Sequence, residues 1–516
     1  MKKWLKRIAL WLLVLIVIGL GTGWWLMRGS LPTLDGELAL DGLSAPVTIQ
    51  RDALGVVTID ATNETDALRA LGFVHAQERF FEMDLMRRVS AGELSELFGP
   101  IAIEKDKAQR VHRIRARVEA DLAAMSAEKR PQLQAYTDGV NAGLGALRVR
   151  PWPYLLLRQQ PKRWELGDAA LTGFAMYFDL QDASNHRELA LWKIKPHLPP
   201  ALYALLTRDG TRWDAPLVGG ARGDATLPTA EEVDLRKLPG TPAKRHDVAA
   251  DDIVPGSNNF AVSGALTADG RAIVANDMHL GLRAPGIWFR ARLRYPDTRA
   301  PGGKVDITGF TLPGLPVVVV GSNTHIAWAF TNSYADTADW RIHTDCKARD
   351  ADATTCVRPT SHAETIHVAG DAPVEIEVEE TDWGPVLHRE GDRLFALRWN
   401  AHLKGALGFG HTDFAFARDL DEAMAMTDRT AMPTQNLLIG DTKGRIGWRL
   451  IGPLAQRAAG CDRTAPGTDL AQAGVCPAWQ ISIDRSPHVI DPGFQRLWTA
   501  NNRTMDGEAL AKIGDG

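Results

Sequence analysis

The chain has 516 residues, a formal net charge of -4 and 24% charged residues. This length is ample for a large core and predicts either two or more domains or one large layered enzyme. A net charge so close to neutral lacks the basic excess of nucleic-acid-binding proteins, so no nucleic-acid partner is expected.

The N-terminus carries a short basic segment followed by a long uncharged one. Three lysines and Arg7 come first, and residues 8–27 contain no charged side chain. As a helix this stretch would reach about 30 Å, enough to cross the hydrocarbon core of a bilayer. The basic flank predicts a cytoplasmic N-terminus. We therefore expect residues 1–30 to form a basic flank and an inner-membrane anchor, with the rest in the periplasm; the alternative is a secreted protein whose signal peptide is cleaved.

The region from 31 to 207 is expected to be mostly helical. Two short strands are predicted first, at 47–52 and 56–59, on either side of a turn. Apolar residues at spacings of three and four then predict helices. The helical regions are 65–97, 111–147 and 168–194, the last with Asp168 as its N-cap.

The pattern changes in the middle of the chain. Residues 208–256 lose their periodicity and are rich in Gly, Pro, Asp, Ala and Lys, which predicts a linker. From residue 257 onward, short runs bounded by turn residues predict strands. These runs are 272–275, 287–295, 317–320 and 325–331, the last two joined as a hairpin by the turn at 321–324. The whole chain is therefore expected to be α+β, with a helical first half and a sheet-rich second half.

Four cysteines form two local pairs, Cys346 with Cys356 and Cys461 with Cys476. In an oxidising compartment each pair would close a small loop, a crosslink worth about 3 kcal/mol for a loop near 15 residues. Neither pair has the C-x-x-C spacing typical of a zinc site. Two disulfides are expected, with four unrelated buried thiols as the alternative.

The junction between Gly256 and Ser257 is the candidate catalytic feature. A cut at this bond would place the Ser257 hydroxyl and a free α-amine on one residue, which is a nucleophile with its own base. An α-amine titrates near pH 8 (about 7.7–8.0), so it accepts a proton around neutrality. Because Gly256 lacks a Cβ, the backbone can bend to let the hydroxyl attack the preceding carbonyl, which is self-cleavage by an N-to-O acyl shift. The simpler alternative is a serine that opens a strand after a turn.

Several blocks of sequence resemble the penicillin acylase family of N-terminal-nucleophile amide hydrolases. The block at the candidate nucleophile is Gly256-Ser257-Asn258-Asn259-Phe260-Ala261-Val262-Ser263-Gly264, continued by Ala275-Asn276-Asp277-Met278-His279-Leu280. The first half of the chain carries Arg51-Asp52, Gly55-Val56, the block from Gly72 to Asp84 and the block from Gly92 to Gly99.

The resemblance implies a four-layer αββα sandwich and a chain that is cut into two associated subunits. Residues 31–207 would form the light chain, 208–256 the spacer, and 257–516 the first part of the heavy chain. Heavy chains of the family run further than residue 516, so a C-terminal truncation is expected. The two chains would remain together as a heterodimer after processing.

The resemblance also implies a role for each catalytic residue. Ser257 matches the nucleophile, and His279 matches the position that supports the α-amine and the nucleophile. The backbone N–H of Asn332 and the side chain of Asn501 would hold the oxyanion, a contribution of several kcal/mol in such sites. Asn502 is the alternative to Asn501, and the simpler explanation of either asparagine is a turn residue.

A calcium ion is the cofactor that the resemblance implies, and no organic cofactor is expected. Asp336, the backbone of Ala338 and Asp339 resemble the family's calcium ligands, and Glu188 is the candidate ligand from the light chain. Oxygen ligands close together on an irregular turn suit a hard cation.

The resulting expectation is a periplasmic, self-processing amidohydrolase that cleaves the side-chain amide of a small-molecule substrate through an acyl-enzyme on Ser257. Residues 176–178 are expected to line the acyl pocket. One alternative keeps the chemistry and changes the substrate to an N-acyl homoserine lactone. The other is a membrane-anchored scaffold relative without catalysis.

Overall fold

A computed structural model describes residues 2–125, 129–208, 210–238, 256–346, 356–458, 461, 476–511 and 513. The α-helices in this part of the chain are α1 Lys2–Gly29, α2 Glu64–Ala91, α3 Ser95–Phe98, α4 Ile103–Arg110, α5 Ile114–Ala123, α6 Arg130–Gly145, α7 Trp152–Leu157, α8 Asp168–Leu180, α9 His186–Ile194, α10 Pro200–Leu206, α11 Leu420–Met426 and α12 Gly507–Ala511.

The strands of the first half and of the region around the candidate nucleophile are β1 Thr48–Arg51, β2 Val57–Asp60, β3 Gly256–Val262, β4 Ile273–His279, β5 Phe289–Pro296, β6 Lys304–Thr311, β7 Val318–Ser322, β8 Ile326–Asn332 and β9 Ala338–Thr344. The remaining strands are β10 Thr360–Ile366, β11 Val374–Glu380, β12 Val386–Glu390, β13 Arg393–Trp399, β14 Gln435–Asp441, β15 Ile446–Ile451, β16 Leu454–Gln456, β17 Gln480–Ser482, β18 His488–Ile490 and β19 Arg496–Thr499. The protein is therefore α+β, as expected from the sequence.

A nine-stranded sheet forms the centre of the molecule, in the order β1-β2-β5-β6-β7-β8-β14-β15-β18. Its strands alternate in direction, apart from the parallel pair β2 and β5. Because successive side chains of a strand point to opposite faces, neighbouring residues of one strand enter different cores. On β14, Leu437 packs in the core shared with α2 and α6, whereas Leu438 packs with residues of the small sheet.

The small sheet has the order β19-β3-β4, so the strand that begins at the candidate nucleophile lies in its middle. Ala261 of β3 and Leu497 of β19 pack with Trp448 of β15 in one buried cluster. Helices, the large sheet and the small sheet thus form three successive layers. Helices α2 and α6 approach so closely that a Cβ on Gly139 would lie 2.0 Å from the carbonyl oxygen of Arg69.

Helix α1 is long and apolar enough to cross a membrane, with a mean hydropathy of 2.1. None of the residues in its most apolar window is buried against the rest of the protein. An N-terminal helix of this kind fits a membrane anchor and a signal sequence equally.

The predicted helices are present but shorter than expected. The helix predicted over 65–97 ends at Ala91, because Gly92 takes a left-handed conformation with φ 67° and its N–H bonds back to Arg88 and Val89. The region 111–147 is divided between α5 and α6, and the region 168–194 between α8 and α9. Left-handed Arg113 and Asn185 stand directly before α5 and α9.

The N-cap prediction for Asp168 is wrong. Gly167 takes the N-cap position of α8. The Asp168 carboxylate is buried and forms an ion pair with Arg87 of α2. A buried carboxylate needs a partner of opposite charge, so this residue is held by a tertiary ion pair in place of a local capping role.

The strand predictions agree more closely with the structure. Strands β1 and β2 pair antiparallel, with Thr48 opposite Asp60. The predicted hairpin around 321–324 corresponds to β7 and β8.

The described part of the predicted linker packs on the rest of the protein. Leu217 is buried, and its N–H donates to the carbonyl oxygen of Thr504 at 2.7 Å. Val218 forms a bridge with Met505. Residues 209 and 239–255 of the predicted linker lie outside the described residues.

The four cysteines form the two local pairs expected from the sequence. Cys346 is bonded to Cys356, and Cys461 to Cys476. The carbonyl oxygen of Cys476 also accepts a hydrogen bond from Arg341 on β9.

Candidate active site

Ser257 is the second residue of β3 and is 7% exposed. Along β3 the positions of Ser257, Asn259 and Ala261 are buried, while those between them are exposed or half-buried. The alternation turns the candidate nucleophile toward the interior between the two sheets. In the described, uncut chain its backbone nitrogen is a peptide N–H.

Asn501 joins Ser257 to the end of β8. Its Oδ1 accepts a hydrogen bond from the backbone N–H of Ser257, and its Nδ2 donates to the carbonyl oxygen of Asn332 at 2.9 Å. Asn501 has a left-handed φ of 53°, a conformation that asparagine tolerates better than most residues. Asn502, the alternative to Asn501 in the sequence, is exposed.

The side chain of Asn332 is committed to structural hydrogen bonds. Its Nδ2 donates to the carbonyl oxygen of Leu180 at the end of α8, at 2.7 Å. Its Oδ1 accepts from Nε2 of Gln435 on β14, at 2.9 Å. These bonds fix the end of β8 in position, so any role in oxyanion binding falls to the backbone N–H of Asn332.

His279 ends β4 opposite Gly256. Its Nε2 lies 2.9 Å from Oδ2 of Asp277, two residues earlier on the same face of the strand. Its Nδ1 lies 3.6 Å from the position that a Cβ on Gly256 would occupy, and the side chain is half exposed. In the described chain His279 therefore lies beside the peptide bond between Gly256 and Ser257 and forms no hydrogen bond with Ser257.

Gly256 is the first residue of strand β3. Among the described residues, no atom lies closer than 3.6 Å to the position that a Cβ on Gly256 would occupy. The described part of the chain therefore leaves room for a side chain here, and a requirement for glycine would come from the bending that self-cleavage needs.

A buried polar network around this site was not found by sequence reasoning. Thr499 bonds both to Thr331 of β8, at 2.6 Å between the hydroxyl oxygens, and to Oδ1 of Asn259. Asn276 of β4 donates to the carbonyl oxygen of Phe330 at 2.9 Å and accepts from its N–H at 3.3 Å. The network ties the small sheet to β8 and so holds Ser257 near Asn332. Polar residues at the buried positions of an alternating strand are the signal that could have revealed it.

Ser257 lines an apolar cavity with about 840 Å³ of empty space, including the part open to solvent. The cavity lies against helix α8, the end of β4, strands β7 and β8, and the segments around 407–411 and 431–435. Its apolar side chains include Met176, Leu180, Met278, Trp288, Leu312, Leu315, Val317, Val319, Phe330, Leu407, Phe409 and Met432.

Of the residues predicted to line the acyl pocket, Met176 lines this cavity. Tyr177 and Phe178 do not, because they point to another side of α8. The Tyr177 hydroxyl donates to the carbonyl oxygen of Ala406 at 2.5 Å, and the Phe178 ring packs against Trp399. On a helix only residues three or four apart share a face, so three consecutive residues do not line one pocket.

The structure brings two of the four predicted calcium ligands together around an arginine. Nε of Arg457 lies 2.9 Å from Oδ2 of Asp339, and its Nη2 lies 2.9 Å from Oδ2 of Asp336. The indole N–H of Trp479 donates to the same Asp339 oxygen at 2.6 Å. All three charged side chains are buried, with at most 10% exposure.

The other two predicted ligands meet at the side chain of Asn185. Its Nδ2 donates to a carboxylate oxygen of Glu188 and, at 3.2 Å, to the carbonyl oxygen of Ala338. Within the described residues, no three His, Cys, Asp or Glu side chains are arranged to hold a metal. Calcium takes six to eight oxygen ligands. The predicted ligand oxygens described above accept hydrogen bonds from N–H donors, so they fit a guanidinium and an amide better than a calcium ion. Calcium stays a prediction of the resemblance.

Chelation of calcium is expected to leave the melting temperature unchanged, because Arg457 already neutralises the two buried aspartates. The substitution Arg457→Met is expected to lower the melting temperature by several degrees, because it removes the cation that lies between two buried carboxylates, a loss of about 3–5 kcal/mol. The measurement is thermal unfolding with EDTA and with added calcium. Arg418→Met, which removes an exposed ion pair with Glu422, is the control and should have little effect. A melting temperature that EDTA lowers and calcium restores would contradict this expectation.

Comparison with known proteins places the chain in a family. The family model "Penicillin amidase" matches residues 46–515. The penicillin acylase 2 proenzyme of Pseudomonas sp. (strain SE83) is 31% identical over 93% of this chain and 61% of its own length. The acyl-homoserine lactone acylase QuiP of Pseudomonas aeruginosa is 28% identical over 92% of this chain and 57% of its own.

A solved structure, the thermostable penicillin G acylase from Alcaligenes faecalis, is similar with a TM-score of 0.39 and 21% identity over 48% of this chain and 44% of that chain. The chain spans about 60% of the length of the curated relatives it matches. Because the family model covers the two strands at the start, the helical region and the whole region from Ser257 to residue 515, the chain belongs to the penicillin amidase family.

Proposed function

We propose that the full-length protein is a self-processing amidohydrolase that cleaves an amide with an apolar acyl group through an acyl-enzyme on Ser257. The observation that carries the proposal is the position of Ser257. Its N–H is held by Asn501, and the residue lines an apolar cavity. Membership of the penicillin amidase family supports the same chemistry.

The first step is cleavage of the bond between Gly256 and Ser257. The Ser257 hydroxyl attacks the Gly256 carbonyl carbon, the peptide C–N bond breaks, and the nitrogen takes up a proton to become the α-amine. Water then hydrolyses the resulting ester and leaves Gly256 as a carboxylate. His279 lies beside Gly256, and its Nε2 contacts the Asp277 carboxylate. It is therefore placed to assist proton movement at this bond.

In the second reaction the Ser257 hydroxyl attacks the carbonyl of the substrate amide, and the α-amine takes the hydroxyl proton. The oxyanion would be held by the backbone N–H of Asn332 and by the Asn501 amide, whose Nδ2 has one N–H bonded to Asn332 and a second one available. The amine product leaves with a proton, and water hydrolyses the acyl-enzyme.

The light and heavy chains would remain associated after the cut because they share one core. Strand β2 of the light-chain region pairs with β5 of the heavy-chain region. His75 of α2 lies 2.9 Å from the hydroxyl of Thr311 on β6. The helical layer and the two packed sheets also support the four-layer αββα sandwich as the fold of the full-length protein.

The proposed location is the periplasm, with α1 as an inner-membrane anchor. The length and hydropathy of α1 support this location, and the two disulfides suit an oxidising compartment. A secreted protein that has lost α1 as a signal peptide is the alternative.

The proposed substrate class follows from the apolar lining of the cavity beside Ser257. This apolar lining suits either the side-chain amide of a penicillin or the fatty chain of an N-acyl homoserine lactone. The relatives named above include a penicillin acylase and an acyl-homoserine lactone acylase.

Intact-mass measurement and N-terminal sequencing of the exported full-length protein test the proposal, followed by hydrolysis assays with both classes of amide. A heavy chain that begins Ser-Asn-Asn-Phe, together with release of either acyl group, is the expected result. A single uncut chain without hydrolysis would favour the scaffold alternative and overturn the proposal.

A further inference from the structure

Asn501 lies on a short turn that follows β19, and this turn is anchored on both sides. Before the turn, the Thr499 hydroxyl is bonded to that of Thr331 in the large sheet, at 2.6 Å. After the turn, the side chain of Arg503 is buried and only 4% exposed. Asn501 itself has a left-handed φ of 53°, and a conformation of this kind persists only where the surrounding structure enforces it. The groups that hold the far side of the turn therefore help to set the position of Asn501.

Residues 211–222, from the predicted linker, hold the far side of the turn, and we call them the clamp segment. Nη2 of Arg503 forms an ion pair with Oδ2 of Asp214 and donates to the carbonyl oxygen of Gly220 at 3.4 Å. Burial raises the pKa of Asp214, but hydrogen bonds from Arg503 and from the backbone N–H of Thr211 outweigh burial and hold that pKa below its ordinary value. The carboxylate is therefore charged near pH 7 and supplies the partner that a buried guanidinium needs.

The backbone of the clamp segment also pairs with the chain just after the turn. The N–H groups of Leu217 and Val218 both donate to the carbonyl oxygen of Thr504, at 2.7 and 3.2 Å. The N–H of Asp506 donates in return to the carbonyl oxygen of Val218 at 2.9 Å. Because backbone groups away from water need hydrogen-bond partners, loss of the clamp segment would leave residues 504–506 without theirs.

Side chains add a third set of contacts between the clamp segment and the heavy-chain region. Leu217 is buried in the same apolar cluster as Trp448 of β15 and Leu497 of β19. The indole N–H of Trp498 donates to the carbonyl oxygen of Ala215 at 2.9 Å. Apolar burial and hydrogen bonds also hold separate chains together, so a cut elsewhere in the predicted linker would not by itself release the clamp segment.

We propose that residues 211–222 are retained in the mature enzyme and that Asp214 positions the oxyanion donor Asn501 by holding Arg503. Any peptide that is removed from the predicted linker then begins beyond the clamp segment. Asp214 acts through Arg503, so it is a positioning residue. The inference rests on the proposed function, from which it takes the self-cleavage and the role of Asn501.

The first test is the composition of the processed full-length protein. After native purification, intact mass under denaturing conditions should find residues 211–222 in the complex, either at the end of the light chain or in a separate bound peptide. A native complex in which no chain contains these residues would overturn the proposal.

The second test is the kinetic effect of Asp214→Asn, which removes the charge and keeps the shape of the side chain. We expect kcat for amide hydrolysis to fall about 10- to 100-fold, since a misplacement of about 1 Å at a catalytic group has an effect of this size. KM should change little, because the cavity beside Ser257 keeps its lining. Asp224→Asn is the matched control, because Asp224 forms an exposed ion pair with Arg212, and it should keep the wild-type kcat.

A double variant separates a positioning role from a general loss of stability. If Asp214 acts through Asn501, adding Asp214→Asn to Asn501→Ala should lower kcat no further. A further fall of about 10-fold or more in the double variant, or a wild-type kcat in Asp214→Asn, would overturn the assignment. If Asp214→Asn is not processed, Asp214→Glu, which keeps the carboxylate on a longer side chain, takes its place in both comparisons.

The wild-type protein distinguishes failure of this inference from failure of the proposed function. A full-length wild type that is neither cut nor active removes the proposed function, and this inference with it. A wild type that is cut and active, together with any of the contrary results above, removes this inference alone.

Discussion

Replacing Ser257 with alanine is expected to abolish both the cut at residue 256 and amide hydrolysis. The alanine has no hydroxyl to attack the Gly256 carbonyl, so neither the ester nor the free α-amine can form. The purified protein should run as one uncut chain, and the release of acyl groups should fall to the background rate. Denaturing gel electrophoresis and intact mass measure the first outcome, and an acyl-amide assay measures the second.

Two further variants test whether the effect is specific to the Ser257 hydroxyl. Ser257→Cys retains a nucleophile and is expected to be cut, yet to hydrolyse substrate poorly. Ser263→Ala removes a hydroxyl that bonds Gly444 at the other end of the same segment, and it should be processed normally. Should Ser257→Ala still yield two chains, another protease does the cutting and self-cleavage is excluded.

Asn501→Ala is expected to lower kcat by roughly 100- to 1,000-fold, a loss of about 3–4 kcal/mol of transition-state stabilisation. The substitution removes the proposed oxyanion donor together with the acceptor that holds the Ser257 nitrogen. KM should change much less, since the loss falls on the transition state and not on binding of the acyl group. Steady-state kinetics on the processed enzyme measure kcat and KM separately.

Asn502→Ala is the matched control, because Asn502 is the adjacent asparagine and its side chain is exposed. It should keep near wild-type kcat. Asn501→Asp separates the two roles of Asn501, since it keeps an oxygen for the Ser257 nitrogen but has no N–H for the oxyanion. Wild-type kcat in Asn501→Ala, or a large loss in Asn502→Ala, would reassign the oxyanion donor.

The elements predicted from local pattern were found where the pattern is strong. The strands β1 and β2, the hairpin of β7 and β8 and the apolar helix α1 each follow from periodicity or composition within one short segment. Helix ends were predicted less well, because α2 stops at left-handed Gly92, and α5 and α9 begin only after left-handed Arg113 and Asn185. Asp168 shows the same limit, since its buried ion pair with Arg87 involves a residue from another helix.

The sequence by itself determined the family, the candidate nucleophile and the local cysteine pairs, because each depends on residues that are near neighbours along the chain. Only the tertiary structure decided that Asn501 contacts Ser257 and that Arg457 lies between Asp336 and Asp339. Each of these contacts joins segments far apart in sequence. Their position is set by how the sheets and helices pack against one another, and a local pattern of residues carries no information on that packing.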